Sequence, residues 1–347
     1  MVGGGTPDTT VPSLWNGDIQ WFTPTEVGHQ KYVSKSARTI TQLGLQKSSA
    51  KKLPAGSILL SSRATIGECS IAQRECTTNQ GFQNLIPKND TNNEFLYYLA
   101  QTKKHHFIKY ASGSTFLEIS NSEIRKTKCT VPGTEEQTQI AAFLSALDDR
   151  ISVQNKIISK YETLIKGLCN MIFPSIEGSI LPLKAIVSIE KGQQINGMSL
   201  AKTGKYYYLN GGIAPSGYID DYNTSEETIS ISEGGNSCGF VSYNLQKFWS
   251  GGHCYTLKIM AEKCRSKYLF FYLKYKEKDI MQLRVGSGLP NIQKKSLENF
   301  NVKLPNYKKQ CFVERVFEVV TAKKEIENAL LERFQSQKKF LLSKMFI

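Results

Sequence analysis

The stretch QTQIAAFLSALDDRISVQNKIISKYETLIKGLCNMIF, Gln137–Phe173, decides how this chain is built. Its apolar residues fall at Ile140, Leu144, Leu147, Ile151, Ile158, Tyr161, Ile165, Leu168 and Ile172, and Gln154 fills the one polar slot. The steps alternate between four and three, which is a heptad seam kept for about five repeats and the pattern of a coiled coil. Pro132 and Gly133 precede the stretch; Thr134 is a suitable N-cap, and Gln137 stands where a capping-box partner belongs. With a rise of 1.5 Å per residue such a helix is ~55 Å long.

The same pattern occurs a second time. A shift of 173 residues places Gly113-Ser114 on Gly286-Ser287, Ile119 on Ile292, Ile124 on Leu297, Val131-Pro132 on Leu304-Pro305, Gln137 on Gln310 and Phe173 on Phe346. Further upstream, Phe95–Tyr98 falls on Tyr268–Phe271. The stretch 309–346 keeps Val313, Phe317, Val320, Leu331, Phe334, Leu341 and Met345 on the seam, but puts Lys324, Glu327 and Lys338 at other seam positions. Ile326 and Leu330 offer a slightly rotated alternative. One such helix is compatible with packing on its own globular core, whereas two in equivalent places favour an intramolecular antiparallel pair that acts as a spacer.

The fronts of the two halves read differently. Gly56–Gly67 predicts a strand, a turn and the start of another strand, and Ile229–Tyr243 alternates apolar and polar residues before it turns. Each front carries one helix, predicted over 94–104 and 266–276. The fold class expected is therefore mixed α/β (α+β): two tandem mixed domains joined by two long helices in an antiparallel coiled coil, with a pseudo-two-fold internal repeat. The boundaries expected are 1–132 and 174–305 for the globular domains, and 133–173 and 306–347 for the helices.

The 347 residues carry a net charge of +14, of which the first half holds +5 and the second +9. A basic surface of this size suits a polyanionic partner, because cations that replace phosphate counterions release them. The eight cysteines form no C-x-x-C pair and there are four histidines, which is poor material for a structural zinc site. The opening MVGGGTPDTT has no charged leader or apolar core, and the longest apolar runs are too short to span a bilayer. We expect a reduced, cytoplasmic protein without a membrane partner.

Several chemistries are missing. There is no G-x-x-x-x-G-K-[S/T] loop for a nucleotide and no H-E-x-x-H. No tripeptide places Asp or Glu two residues before Lys, the usual core of a metal nuclease, and there is no Asn-Pro-Pro-aromatic or Asp-Pro-Pro-aromatic box. Asp148-Asp149 and Glu135-Glu136 lie on the long helix and suit a solvated face better than an acid–base pair. No catalytic or metal-binding residue is expected.

Gly3-Gly-Gly-Thr-Pro7, Trp15-Asn-Gly-Asp-Ile-Gln-Trp-Phe-Thr-Pro24 and Ser61-Ser-Arg-Ala-Thr-Ile-Gly67 resemble the front of a target recognition domain in specificity subunits of type I restriction-modification systems. The resemblance continues through Gly113-Ser114, Pro132 and Glu136-Gln137, and the duplicated plan fits as well. It implies a subunit that neither cuts nor methylates but reads a bipartite, asymmetric sequence in double-stranded DNA, one part per recognition domain, with the helices setting the gap. Half-sites one turn apart lie ~34 Å from centre to centre, within reach of a ~55 Å helix. It also implies two methyltransferase (modification) subunits and two restriction (translocase-nuclease) subunits as partners, with S-adenosylmethionine, ATP and Mg2+ on those partners and no cofactor on this chain. Half two departs from half one by opening with a strand-like lead, Leu181–Lys191, that the family usually carries in both halves; half one begins at Met1-Val2, directly before its glycines.

Base readers need polar side chains on rigid turns, and phosphate contacts need cations or backbone N–H groups. These requirements select Arg63, Thr65, Asn79, Gln80, Ser112 and Ser114 in the first half, and Asn236, Ser237, His253 and Ser287 in the second. Each also has a plain reading as a turn-former or surface polar group. Trp15, Trp21 and Trp249 read as packing residues. Partner-binding candidates on the long helices are Asp148, Asp149, Lys156, Lys160, Glu325, Arg333 and Lys338. Two other readings stay open at this point: a coiled-coil scaffold whose heads bind proteins rather than DNA, and an enzyme with an unrecognised site.

Overall fold

The computed structural model describes residues 1–113, 117–197, 200–286 and 288–346. It separates into two compact units, Met1–Asn155 with Ala329–Ile347, and Lys156–Asn328. The units cut across the chain-order boundaries expected from the sequence, because each holds one globular head together with one end of both long helices. The cause is how the helices bury their apolar stripes. Leu144 joins a core cluster with Leu341, Leu342 and Phe346, and Phe173 joins one with Val313 and Phe317.

The helices run over Thr134–Ser175 and Tyr307–Met345, 42 and 39 residues. Every seam position of the first is buried or half-buried, Gln154 included, while Phe143, Val153 and Leu164 beside it are exposed. The second helix turns its charged register inward. Lys324, Glu327 and Lys338 are half-buried and Ile326, on the rotated alternative, is 66% exposed. Two of the inward lysines have partners on the first helix, Lys338 with Asp148 at 2.6 Å in the first unit and Lys324 with Glu162 at 2.9 Å in the second. Their aliphatic stems can cover apolar surface while the ammonium is paired. The Arg150 guanidinium adds a contact over the Phe334 ring at 5.0 Å.

Gln137 does not close a capping box on Thr134. Its buried amide donates to the carbonyls of Pro132 (2.9 Å) and Asp90 (3.3 Å) and accepts from the Asn92 amide (2.9 Å). Gln310 makes the same three bonds 173 residues on, to Pro305 (2.9 Å), Lys263 (2.8 Å) and the Arg265 amide (2.9 Å). The repeated glutamine pins the start of each long helix to the start of the head's own helix. Those head helices are Asn93–Thr102, capped by the Asn92 side chain, and Ser266–Tyr275. They bury Phe95, Tyr98 and Leu99, and Tyr268, Leu269, Tyr272 and Leu273, a 3.6-residue stripe in each case. Phe346 packs on Phe95 at 5.2 Å, and its counterpart Phe173 packs near Tyr268 at 6.4 Å.

The heads share a topology that their sequences hide. In the first, Trp15–Phe22 lies between antiparallel Arg38–Ile40 and parallel Cys76–Thr78. In the second, Tyr206–Leu209 lies between antiparallel Gly217–Ile219 and parallel Phe248–Ser250. Both expected strand–turn–strand segments are antiparallel hairpins, Ile58–Leu60 with Cys69–Ala72 and Thr228–Ser232 with Val241–Asn244. The second head's lead supplies two strands: Ser179–Pro182 pairs with Asn301–Leu304, and Val187–Lys191 pairs with Cys254–Ile259. In the first head Val2–Gly3 pairs with Gln83–Asn84, a two-residue counterpart of the latter pairing. Trp15 and Trp21 are buried edge to face at 5.0 Å.

Candidate nucleic-acid interface

Each hairpin ends in a turn that is held the same way. In the first head the Ser61 amide donates to Glu68 (2.9 Å), the Gly67 amide donates back to Ser61 (2.9 Å), and the Ser61 hydroxyl bonds the Arg63 carbonyl (2.8 Å). In the second, the Ser232 backbone does the same with Phe240 (3.0 Å) and Gly239 (2.8 Å), while its hydroxyl donates to the Gly211 carbonyl and lies 3.3 Å from that of Gly234. The turn needs one left-handed residue, which is Ala64 at φ 58° in the first head and Gly235 at φ 74° in the second. Up to this residue the equivalence therefore runs at 171 residues rather than 173; the second turn is one residue longer, and Gly67 and Glu68 answer to Gly239 and Phe240 at 172. Thus Ser62, Arg63 and Ala64 answer to Glu233, Gly234 and Gly235.

A strap crosses each turn. Ser112 and Glu118 exchange two backbone hydrogen bonds (2.9 Å each), and the Ile119 amide bonds the Ser62 carbonyl (3.0 Å). Val285 and Asn291 exchange theirs at 2.8 and 3.0 Å, and the Ile292 amide bonds the Glu233 carbonyl (2.8 Å). Ile119 and Ile292 are fully buried anchors, and Gly113 and Gly286 open the straps at φ 128° and 96°. Ser114 and Ser287 lie outside the described residues.

The first head brings Arg63 and Ser112 together. Arg63 points outward and its Nε meets the Glu118 carboxylate at 2.7 Å, a half-exposed pair of the kind worth about 0–1 kcal/mol. An incoming anion or base edge can therefore displace it at small cost. Thr65 is turned inward, bonding Pro24 (3.2 Å) and Ser61 (3.1 Å), and Asn79 accepts from the Gly81 amide (2.9 Å), so both side chains hold the turns together. Gln80 is exposed and accepts from the Thr6 hydroxyl.

The second head brings Asn236, Ser237 and His253 to one open cleft of about 490 Å3, together with Glu233, Lys191 and Leu289. His253 is exposed, its amide bonded to Asn210 Oδ1 at 3.0 Å. Glu233 is 7% exposed. Its Oε1 accepts from Lys191 (2.6 Å) and from the Tyr255 hydroxyl (3.1 Å). Burial first, and then this carboxylate, push the Tyr255 phenol well above its ordinary pKa, so it remains a donor. Sequence reasoning missed Glu233, Glu118 and Lys191. A shift of 173 sets Arg63 against Asn236, and so conceals that Glu233 sits at the Ser62 step.

On the long helices Asp149, Lys156, Lys160, Glu325 and Arg333 are exposed. Asp148 and Lys338 face one another, and Asp148 also accepts from the Tyr98 hydroxyl at 2.6 Å. Among the described residues no cluster of three His, Cys, Asp or Glu is arranged to hold a metal ion, and no helix is long and apolar enough to cross a membrane.

The sequence profile of the type I restriction modification DNA specificity domain matches this chain twice, over residues 2–163 and 180–335. The chain belongs to that family. It is 41% identical over 167 residues to the type I restriction enzyme MjaIX specificity subunit of Methanocaldococcus jannaschii; the match covers 46% of this chain and only 39% of that relative's length. It is 22% identical over 339 residues to the EcoprrI specificity subunit of Escherichia coli, covering 91% of this chain and 83% of that one. Among solved structures, the type I restriction-modification S subunit from M. genitalium shares the fold with a TM-score of 0.67 at 20% identity, over 99% of this chain and 96% of that chain.

Proposed function

We propose that this chain is a non-catalytic DNA-specificity subunit that reads a bipartite, asymmetric duplex sequence, one part with each head. It directs methyltransferase and restriction subunits to that sequence in the cytoplasm. S-adenosylmethionine, ATP and Mg2+ belong to those partners. The observation that carries the reading is one backbone frame, turn plus strap, built twice on a basic chain and dressed with different polar side chains: Arg63 over Ser62 in one head, Asn236 beside Glu233 in the other. A fixed frame with variable polar faces is what base readout requires. The membership of the family and the named relatives support the same role. Asp149, Lys156, Lys160, Glu325 and Arg333 are the exposed helix residues proposed to meet the modification subunits.

The test is a whole-genome methylome of the source strain with and without the gene. Loss of one two-part methylated motif on deletion supports the reading. If the motifs are unchanged, duplex binding by the purified chain decides between this role and a protein-binding scaffold. A DNA reader loses affinity with salt at a log–log slope near −0.9 per phosphate contact, and a flat response would sink the DNA role.

A further inference from the structure

We propose that Glu233 is a base-reading residue of the second head, accepting a hydrogen bond through Oε2 from the N4 amino group of a cytosine in the major groove. The inference rests on the DNA-reading role proposed above and names a specificity determinant within it.

Three observations converge on this residue. First, Glu233 Oε2 is buried and has no hydrogen-bond donor among the described residues, while Oε1 has two. His253 Nδ1 stands 3.6 Å away, beyond hydrogen-bond reach. A buried carboxylate oxygen without a donor is unfavourable, and such atoms in native folds call for an explanation such as an outside partner. Second, Glu233 lines the open cleft in which Asn236, Ser237 and His253 also stand. Third, three buried side-chain polar atoms without a partner are found among the described residues, and two of them are Glu233 Oε2 and Ser62 Oγ. These are the same step of the same turn in the two heads, as the bonds from the Ile292 and Ile119 amides show. The frame leaves a polar atom unpaired at this step in both heads, although the residue type differs.

The chemistry selects the ligand. An ionised carboxylate only accepts, so it attracts a base that shows a donor in the major groove and repels the acceptors of guanine (O6, N7), thymine (O4) and the phosphates. Adenine sets its N6 donor between the N7 and thymine O4 acceptors, whereas cytosine N4 has an acceptor, guanine O6, on one side only, so carboxylate–cytosine is the pairing with the least repulsion. Lys191 and the Tyr255 hydroxyl hold Oε1 in place, so Oε2 is aimed before the DNA arrives, and the lysine offsets the negative charge the duplex would otherwise meet. Ser62, which can both donate and accept, predicts a less restrictive reading at the equivalent position of the first half-site.

The test selects binding sites from a randomised duplex library with the full-length chain and with Glu233→Gln, an isosteric change that keeps an acceptor for Tyr255. The expected result is that the variant still binds and that one cytosine of the wild-type motif is relaxed or replaced by adenine, the base an amide reads. On wild-type protein, each motif cytosine is then replaced in turn by 2-pyrimidinone, which lacks the amino group. One substitution is expected to cost about ten-fold in affinity. This arm needs no variant and decides the matter if Glu233→Gln does not fold. An unchanged motif for a folded variant, or wild-type binding insensitive to every amino-group removal, overturns the inference while leaving the DNA-reading role intact. A wild-type chain that selects no motif at all overturns both.

Discussion

Removing the Gln310 side chain should unfasten the second head from its long helix. Gln310→Ala deletes one hydrogen bond accepted from the Arg265 amide and two donated to the carbonyls of Lys263 and Pro305, all between 2.8 and 2.9 Å and at a residue with no exposure. Each such bond contributes about 1 kcal/mol net; of the groups left behind, the Pro305 carbonyl is buried and the Lys263 carbonyl and Arg265 amide are part-buried. The expected loss is therefore about 3 kcal/mol, several times the ±0.5 kcal/mol typical of surface changes. Gln137→Ala should cost slightly less, since its bond to the Asp90 carbonyl is longer at 3.3 Å. Glu at either position is expected to be worse than Ala at neutral pH, because a carboxylate keeps the accepted bond but faces two carbonyls it cannot donate to. Urea unfolding measures the loss, and amide hydrogen exchange localises it: in Gln310→Ala the Arg265 amide should exchange faster while Asn92 is unchanged. A loss below about 0.5 kcal/mol, or exchange that rises equally at both amides, would refute the idea that this residue is a local latch.

Ala64 holds a left-handed conformation at φ 58°, which costs a non-glycine residue about 1–2 kcal/mol, so Ala64→Gly should stabilise by about 0.5–1 kcal/mol after the unfolded chain's extra freedom is deducted. Gly235→Ala should destabilise by a like amount although its Cβ would meet nothing within 4 Å; a urea midpoint that moves the wrong way for either variant contradicts the equivalence of the two turns. Burial alone would raise the Glu94 carboxyl, but hydrogen bonds from Ser145, Tyr32 and Lys31 and the charge of Lys31 outweigh it and hold the carboxyl below its ordinary 4.5. A depressed folded-state pKa contributes stability that is present above the unfolded value and lost as pH falls through the folded one. The penalty of Glu94→Gln should therefore shrink between pH 5.5 and pH 3.5, and an equal penalty at both would show that the carboxylate's charge is not what matters.

The sequence made the long helices and the duplication legible because heptad spacing and the 173-residue shift survive in residues whose job is packing: Ile119 and Ile292, Phe173 and Phe346, Gln137 and Gln310. It hid which stripe of the second helix faces inward. Lys324 and Lys338 look like errors in a seam until Glu162 and Asp148, on the other helix, are set beside them. Pairing across helices is not a property of either stretch read alone. The helix-start glutamine was visible as a motif but not in its role, since two of its three partners lie 45 and 47 residues upstream in the chain. The readers on the turns were the least legible: Thr65 and Asn79 have the right chemistry for DNA, yet their side chains brace the loops that present Arg63.

This division has a physical cause that bears on how such a chain can change what it reads. The frame of each head is fixed by backbone bonds, by a serine that ties the turn and by a buried isoleucine that anchors the strap. None of these constrains the side chains at the Ser62, Arg63 and Thr65 steps except through size and the demand that a buried polar atom find a partner. Replacing Ser62 by a carboxylate would, in this frame, need a cation in reach of the turn. The second head meets that need with Lys191, which comes from another strand of the same sheet and not from the turn itself. A change of reader at this step is thus a two-residue event. Transplanting Glu233 alone onto the first head should leave an uncompensated buried carboxylate and destabilise it, whereas a lysine at the end of Val2–Gly3, the counterpart of the Lys191 strand, should restore the fold before any change in the sequence read can be seen.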